Sequence, residues 1–228
     1  MSLTSASLAL MIVFAASTAF ASDTPAPAPT PASTMPPSYT PMDFSSLLGM
    51  PGFSDTLLQN HFKLYQGYVK NTNLVASKLA VTDPTSPEYA ELKRRFGWEF
   101  DGMRLHELYF GNLGGKAPLS PDAPLYTAIV AQFGSFDAWQ ADFTATASMR
   151  GIGWVVLYQD TSSGGLFNCW INEHDTGHLA GCTPLLVADV FEHAFLTDYG
   201  LDKKSYIAAF WKNVNWDAVT LRYKAGNM

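Results

Sequence analysis

Apolar residues follow different spacings in four successive stretches of this chain. From Leu8 to Ala21 they run unbroken among small residues. From Asp23 to Pro41 they give way to an aperiodic mixture of Pro, Ala, Ser and Thr. From about Thr56 they recur at helical intervals. Beyond Pro118, helical patterns alternate with dense runs of β-branched and aromatic residues.

The third stretch predicts two long helices. Ser54-Asp55 can cap a helix from about Thr56 to Leu79, with apolar positions at Leu57, Leu58, Leu64, Tyr68 and Val75. Asp83-Pro84-Thr85-Ser86-Pro87 breaks it and starts a second, from Glu88 to about Leu113, closed by Gly114-Gly115. Two long helices with a short connection predict an antiparallel hairpin. Pro124–Phe133 and Phe136–Met149 then read as helices. Gly151–Tyr158, Leu166–Asn172 and Pro184–Ala188 read as strands, the first two joined by a turn over Asp160–Gly165. Helices at about Phe191–Tyr199, Lys203–Phe210 and Asn215–Tyr223 finish the chain. The fold class is α+β: an N-terminal antiparallel helical hairpin over residues 44–117, then an α/β domain over 118–228 with a three-stranded antiparallel sheet.

The first two stretches stand apart. The run from Leu8 ends in Ala19-Phe20-Ala21 before Ser22, the apolar region and small-residue cleavage site of a secretory signal over residues 1–21. It is shorter than the roughly 20 apolar residues of a membrane span. No Lys or Arg precedes it, so a retained anchor is the alternative. Residues 22–43 read as a disordered Pro-rich tether. The expectation is an exported protein, periplasmic or secreted, with no stable membrane span after processing.

Composition narrows the choice of function. The 228 residues are 47% hydrophobic and 15% charged, enough to bury a core. A net charge of -6 without a basic cluster excludes a nucleic-acid binder. Cys169 and Cys182 are either a disulfide closing a short loop or two buried thiols, and they lack the paired spacing of a zinc site.

The chain has five histidines: His61, His106, His174, His178 and His193. The informative stretch is Asp189-Val190-Phe191-Glu192-His193, because Asp and His four apart at the end of a strand can converge on one metal ion. Two further His from the early helices would complete a nitrogen and oxygen set suited to iron or manganese. His178 reads as an ordinary loop residue.

At these residues the chain resembles the iron/manganese superoxide dismutase family. Asp189-Val190-Phe191-Glu192-His193-Ala194 is similar to that family's Asp-x-Trp-Glu-His-Ala signature, and Gly151-Ile152-Gly153-Trp154 to its Gly-x-Gly-Trp strand. Phe133-Gly134-Ser135-Phe136 and the stretch from Phe210-Trp211 through Asn215-Trp216-Asp217 are also family-like. The resemblance covers Phe53 to Tyr223. It implies a dimeric enzyme that converts superoxide to oxygen and hydrogen peroxide on one iron or manganese ion per subunit. The sequence does not choose between the two metals, and iron is slightly favoured.

By resemblance, His106, Asp189 and His193 are metal ligands. The first-helix ligand falls on Asn60 when Tyr68 is used as the anchor, with His61 one residue later. At about 100° per residue, a separation of seven leaves His61 and Tyr68 about 20° apart on the helix, so His61 can reach the metal. Tyr68 matches the family's gateway tyrosine. His174 replaces the Gln that bonds the metal's solvent ligand, with Gly102 leaving room for it. Glu192 would bond the partner subunit's His193 across a homodimer.

Departures from the family pattern are Phe191, Phe110 and Val156 in the metal shell. A bridging His–Tyr pair is also lost, represented here by Leu64 or Tyr65 and by Phe195 or Leu196. Arg222 and Lys63 are candidates for a positive funnel toward an anionic substrate. Two other functional classes stay open: a metal-free descendant serving as a binding or structural module at the envelope, and an oxygenase built on a triad of two His and one carboxylate.

Overall fold

Serine caps set the starts of the hairpin helices. In the computed structural model, which describes residues 37–225, Ser54 Oγ accepts the Leu57 N–H at 3.1 Å and opens α1 (Asp55–Leu79). Ser86 accepts the Tyr89 N–H at 3.1 Å and opens α2 (Pro87–Gly111), where Pro87 needs no hydrogen-bond partner. Within α1, His61, Tyr65, Tyr68, Thr72 and Val75 are buried at three- and four-residue intervals; Leu64, expected in the core, is 36% exposed. α2 buries Glu99, Gly102, Met103, His106, Tyr109 and Phe110.

The second half begins with α3 (Pro124–Phe133) and α4 (Phe136–Ala147). Three antiparallel strands follow: β1 (Gly153–Asp160), β2 (Leu166–Asn172) and β3 (Cys182–Asp189), in the order β2-β1-β3. β1 starts two residues later than expected because pairing begins at Gly153. A Cβ there would lie 2.0 Å from the Ile171 carbonyl oxygen, so only glycine fits. The register sets Trp154 opposite Ile171 on one side and Asp189 on the other. α5 (Leu196–Tyr199), α6 (Lys203–Lys212) and α7 (Trp216–Ala225) complete the described residues.

The helix expected over Phe191–Tyr199 is broken. A 3-10 turn over Glu192–Ala194 precedes α5, and Phe195 between them has φ -142°, outside helical space. The cysteine alternative resolves to free thiols. Cys169 lies opposite Val156 and Cys182 opposite Asp160, on strands flanking β1. Two interstrand spacings of about 4.8 Å exceed the ~7 Å reach of a disulfide.

The secretory signal and tether expected from the sequence fall mostly on residues 1–36, which lie outside the described residues. The tether reading fails for its last part. The Asn73 side-chain amide accepts from Tyr39 N and donates to Tyr39 O, both at 2.8 Å, and Met42 N donates to Tyr65 Oη at 3.0 Å. Among the described residues no helix is long and apolar enough to cross a membrane.

Candidate metal centre

Four side chains from both halves of the fold meet at one point. His61 on α1, His106 on α2, Asp189 at the end of β3 and His193 in the 3-10 turn bring their ligand atoms within 4.8 Å of one another. Asp189 Oδ2 is 3.2 Å from His61 Nε2, 3.7 Å from His106 Nε2 and 3.1 Å from His193 Nε2. Asn60 is exposed and takes no part, so α1 delivers His61 as the seven-residue spacing to Tyr68 requires. Three histidines and one carboxylate exceed a two-His triad.

Each side chain is aimed by a neighbour. His106 Nδ1–H donates to the Gly102 carbonyl at 2.5 Å, which leaves Nε2 as a lone pair; that atom is buried without a hydrogen-bond partner. Asp189 Oδ1 accepts the Phe191 N–H at 2.8 Å, and its backbone oxygen accepts from Tyr206 Oη–H at 2.6 Å. Tyr206 is engaged in turn by Tyr109 Oη at 3.1 Å. The His61 ring is held by packing, with Phe110 at 4.8 Å and Tyr109 at 5.5 Å between centroids.

The local charge balance favours a cation. Burial works to raise the Asp189 pKa, but His193 and His61 hold its carboxyl well below the ordinary range. Burial depresses the pKa values of His61 and His106, keeping both rings neutral. A buried carboxylate facing neutral imidazoles, one with an orphaned lone pair, fits a divalent or trivalent ion of the iron or manganese kind.

Beside the cluster stand Tyr68, His174 and Trp154. The Trp154 indole N–H donates to His174 Nδ1 at 3.0 Å, and Tyr68 Oη lies 2.7 Å from His174 Nε2. An indole nitrogen only donates, so the neutral His174 ring carries its proton on Nε2 and donates it to the Tyr68 oxygen. Burial lowers the His174 pKa to about 4 and raises that of Tyr68. Gly102 makes room for Tyr68 rather than for His174: a Cβ there would sit 2.7 Å from Tyr68 Cδ1. The Tyr68 ring lies on His106 at 5.1 Å.

Other expected residues fall elsewhere. Phe191 lies against His174 at 4.7 Å and His193 at 5.0 Å; with Phe110 and Val156 buried, the shell stays apolar. Arg222 belongs to no funnel: its guanidinium donates to the carbonyls of Leu108 and Leu185 and to Asn112 Oδ1, tying α7 to α2 and β3. Lys63 is exposed on α1. Tyr65 is buried and donates to Glu107 at 2.9 Å within the chain.

Sequence reasoning missed Asn112 and Tyr206. Asn112 accepts from Val187 N at 2.8 Å and donates to Val187 O at 3.1 Å, closing the free edge of β3 two residues before Asp189. A buried-capable Asn at a helix end was the available signal. Tyr206 had none beyond its place on an apolar helix face.

Residues 121–222 match the family model described as iron/manganese superoxide dismutases, C-terminal domain. The superoxide dismutase [Fe] of Cupriavidus metallidurans is 38% identical over 182 residues, covering 77% of this chain and 91% of the relative. That of Aquifex pyrophilus is 36% identical over 195 residues, covering 81% and 90%. The superoxide dismutase [Mn] 1 of Halobacterium salinarum is 34% identical over 188 residues, covering 81% and 92%. With this much of both chains aligned at these identities, and with the helical hairpin and three-stranded sheet in place, the chain belongs to the iron/manganese superoxide dismutase family.

Proposed function

We propose that this chain is a superoxide dismutase that holds iron or manganese between His61, His106, Asp189 and His193. The convergence of three imidazole nitrogens on one buried carboxylate oxygen carries the reading. When bound, the ion would supply one-electron redox chemistry, by which one superoxide is oxidised to oxygen and a second, with two protons, is reduced to hydrogen peroxide.

The chain's residues do the rest. Asp189 would supply one negative charge to the ion, and the bond from Phe191 N–H to its Oδ1 keeps Oδ2 facing the histidines. Phe110, Phe191 and Trp154 keep the surroundings apolar. Forming hydrogen peroxide needs two protons, and Tyr68 with His174 is the proton-holding pair beside the cluster. Because His174 Nε2–H donates to the Tyr68 oxygen, the phenolic hydrogen of Tyr68 is free to be given elsewhere.

Iron is slightly favoured over manganese as the ion; the relatives from Cupriavidus and Aquifex are named for iron, and that from Halobacterium for manganese. The working form is a homodimer in which Glu192, exposed in the single chain, bonds the partner subunit's His193. The protein is exported to the periplasm or beyond, and N-terminal sequencing of the mature protein should begin at Ser22.

The test is superoxide consumption followed by pulse radiolysis. Rapid turnover yielding one oxygen and one hydrogen peroxide per two superoxide ions is expected. A metal-loaded protein that consumes no superoxide overturns the reading.

A further inference from the structure

The turn that carries His174 holds a second histidine outside the metal cluster. His178 Nε2 lies 2.8 Å from the backbone oxygen of His174. A carbonyl only accepts, so Nε2 carries a proton, and Nδ1 is hydrogen-bonded to the Tyr158 hydroxyl, 2.7 Å away on β1. Asp101 Oδ2 on α2 lies 3.7 Å from the same Nε2. Tyr158 therefore orients His178, and His178 grips the peptide of His174.

The turn needs such a grip. Glu173, immediately before His174, has φ +52°, a conformation that persists in a non-glycine residue only when its surroundings hold it. On that side the Trp98 indole N–H of α2 donates to Glu173 Oε2 at 3.0 Å. Within the turn, Asn172 and Thr176 form an isolated bridge. The His174 peptide is thus held from α2 on one flank and by His178 on the other.

We propose that His178 is a positioning residue for the reaction: it fixes the depth at which the His174 ring meets Tyr68. The inference rests on the reading of Tyr68 and His174 as the proton-holding pair. It assigns His178 no contact with substrate or metal. Its effect passes through one backbone carbonyl to a ring whose nitrogens are already committed to Trp154 and Tyr68.

The experiment compares the full metal-loaded chain with His178→Ala, His178→Gln and His174→Ala. His178→Ala should keep its metal content and lower kcat about tenfold, the lower end of what outer partners of a metal site supply, with KM little changed. In the metal-free protein, the nitrogen-bound proton of His174 Nε2, followed by NMR, should broaden. His178→Gln, whose side-chain amide can donate to the same carbonyl, should restore both. Tyr158→Phe keeps the ring but removes the orienting hydroxyl, so it should move both readouts in the same direction even if His178→Ala does not fold. Wild-type kcat and a sharp His174 signal in a folded His178→Ala, alongside a slowed His174→Ala, overturn the positioning role alone. Wild-type kcat in His174→Ala overturns the reading of the pair, and the positioning role with it.

Discussion

Asn112 shows how far one side chain can act from the chemistry it serves. Its amide pairs with both backbone groups of Val187, where a fourth strand would otherwise sit, and its oxygen also accepts from Arg222. Asn112→Ala strands two buried backbone groups, each costing about 1–3 kcal/mol. Denaturant unfolding should show a loss of at least about 2 kcal/mol, and a loss near zero contradicts the edge-closing role. Gly102 has a steric role. Gly102→Ala places a methyl 2.7 Å from the Tyr68 ring, and overpacking of this kind costs roughly 1–3 kcal/mol. Its turnover should fall with Tyr68 displaced; unchanged turnover and stability contradict the packing. At this scale the sequence was legible where a residue type is chemically unusual. His61 could be chosen over Asn60 because helical geometry fixes which side chains share a face with Tyr68. His178 was illegible because its partners, Tyr158 and the His174 carbonyl, are set by the path of a turn that no spacing encodes.

At the scale of elements, caps and turn geometry decide what reaches the metal cluster. Ser54 both caps α1 and donates its hydroxyl to Asp198 Oδ1 on α5 at 2.6 Å, so the helix bearing His61 is fastened to the segment after His193. Ser54→Ala should cost about 1 kcal/mol from the cap, with a correspondingly lower Tm; a Tm at or above wild type contradicts the fastening. Helices α1, α2 and α3 were readable because Ser54, Ser86 and Pro124 mark their starts and apolar periodicity marks their length. The segment after Asp189 was not. Its Asp-x-x-x-His spacing suits a helix, but the Asp189 carboxylate takes the Phe191 N–H and Phe195 leaves helical space, so a 3-10 turn brings His193 back. The start of β1 was misplaced because Gly151 and Ile152 precede the first paired residue, Gly153, which stands opposite Asn172.

For the whole molecule, the buried histidines make the metal-free protein sensitive to acid. Burial holds His61 and His106 below the ordinary value and His174 at about 4, while in an unfolded chain they titrate near 6.5. The unfolded state therefore binds more protons between about pH 6.5 and 4, so stability rises with pH across that window and is lost as pH falls through it. Asp189 adds stability above its unfolded value near 3.8 that is lost at still lower pH. Denaturant midpoints of the metal-free protein should drop from pH 7 to pH 5, and a flat profile contradicts the neutral-histidine site. The central claim is that the chain binds its metal through His61 together with His106, Asp189 and His193. Elemental analysis of the full chain beside His61→Ala and Asn60→Ala tests it most directly. The account predicts about one iron or manganese per chain in the wild type and in Asn60→Ala, and a large loss in His61→Ala. Full metal in His61→Ala, or its loss in Asn60→Ala alone, contradicts it.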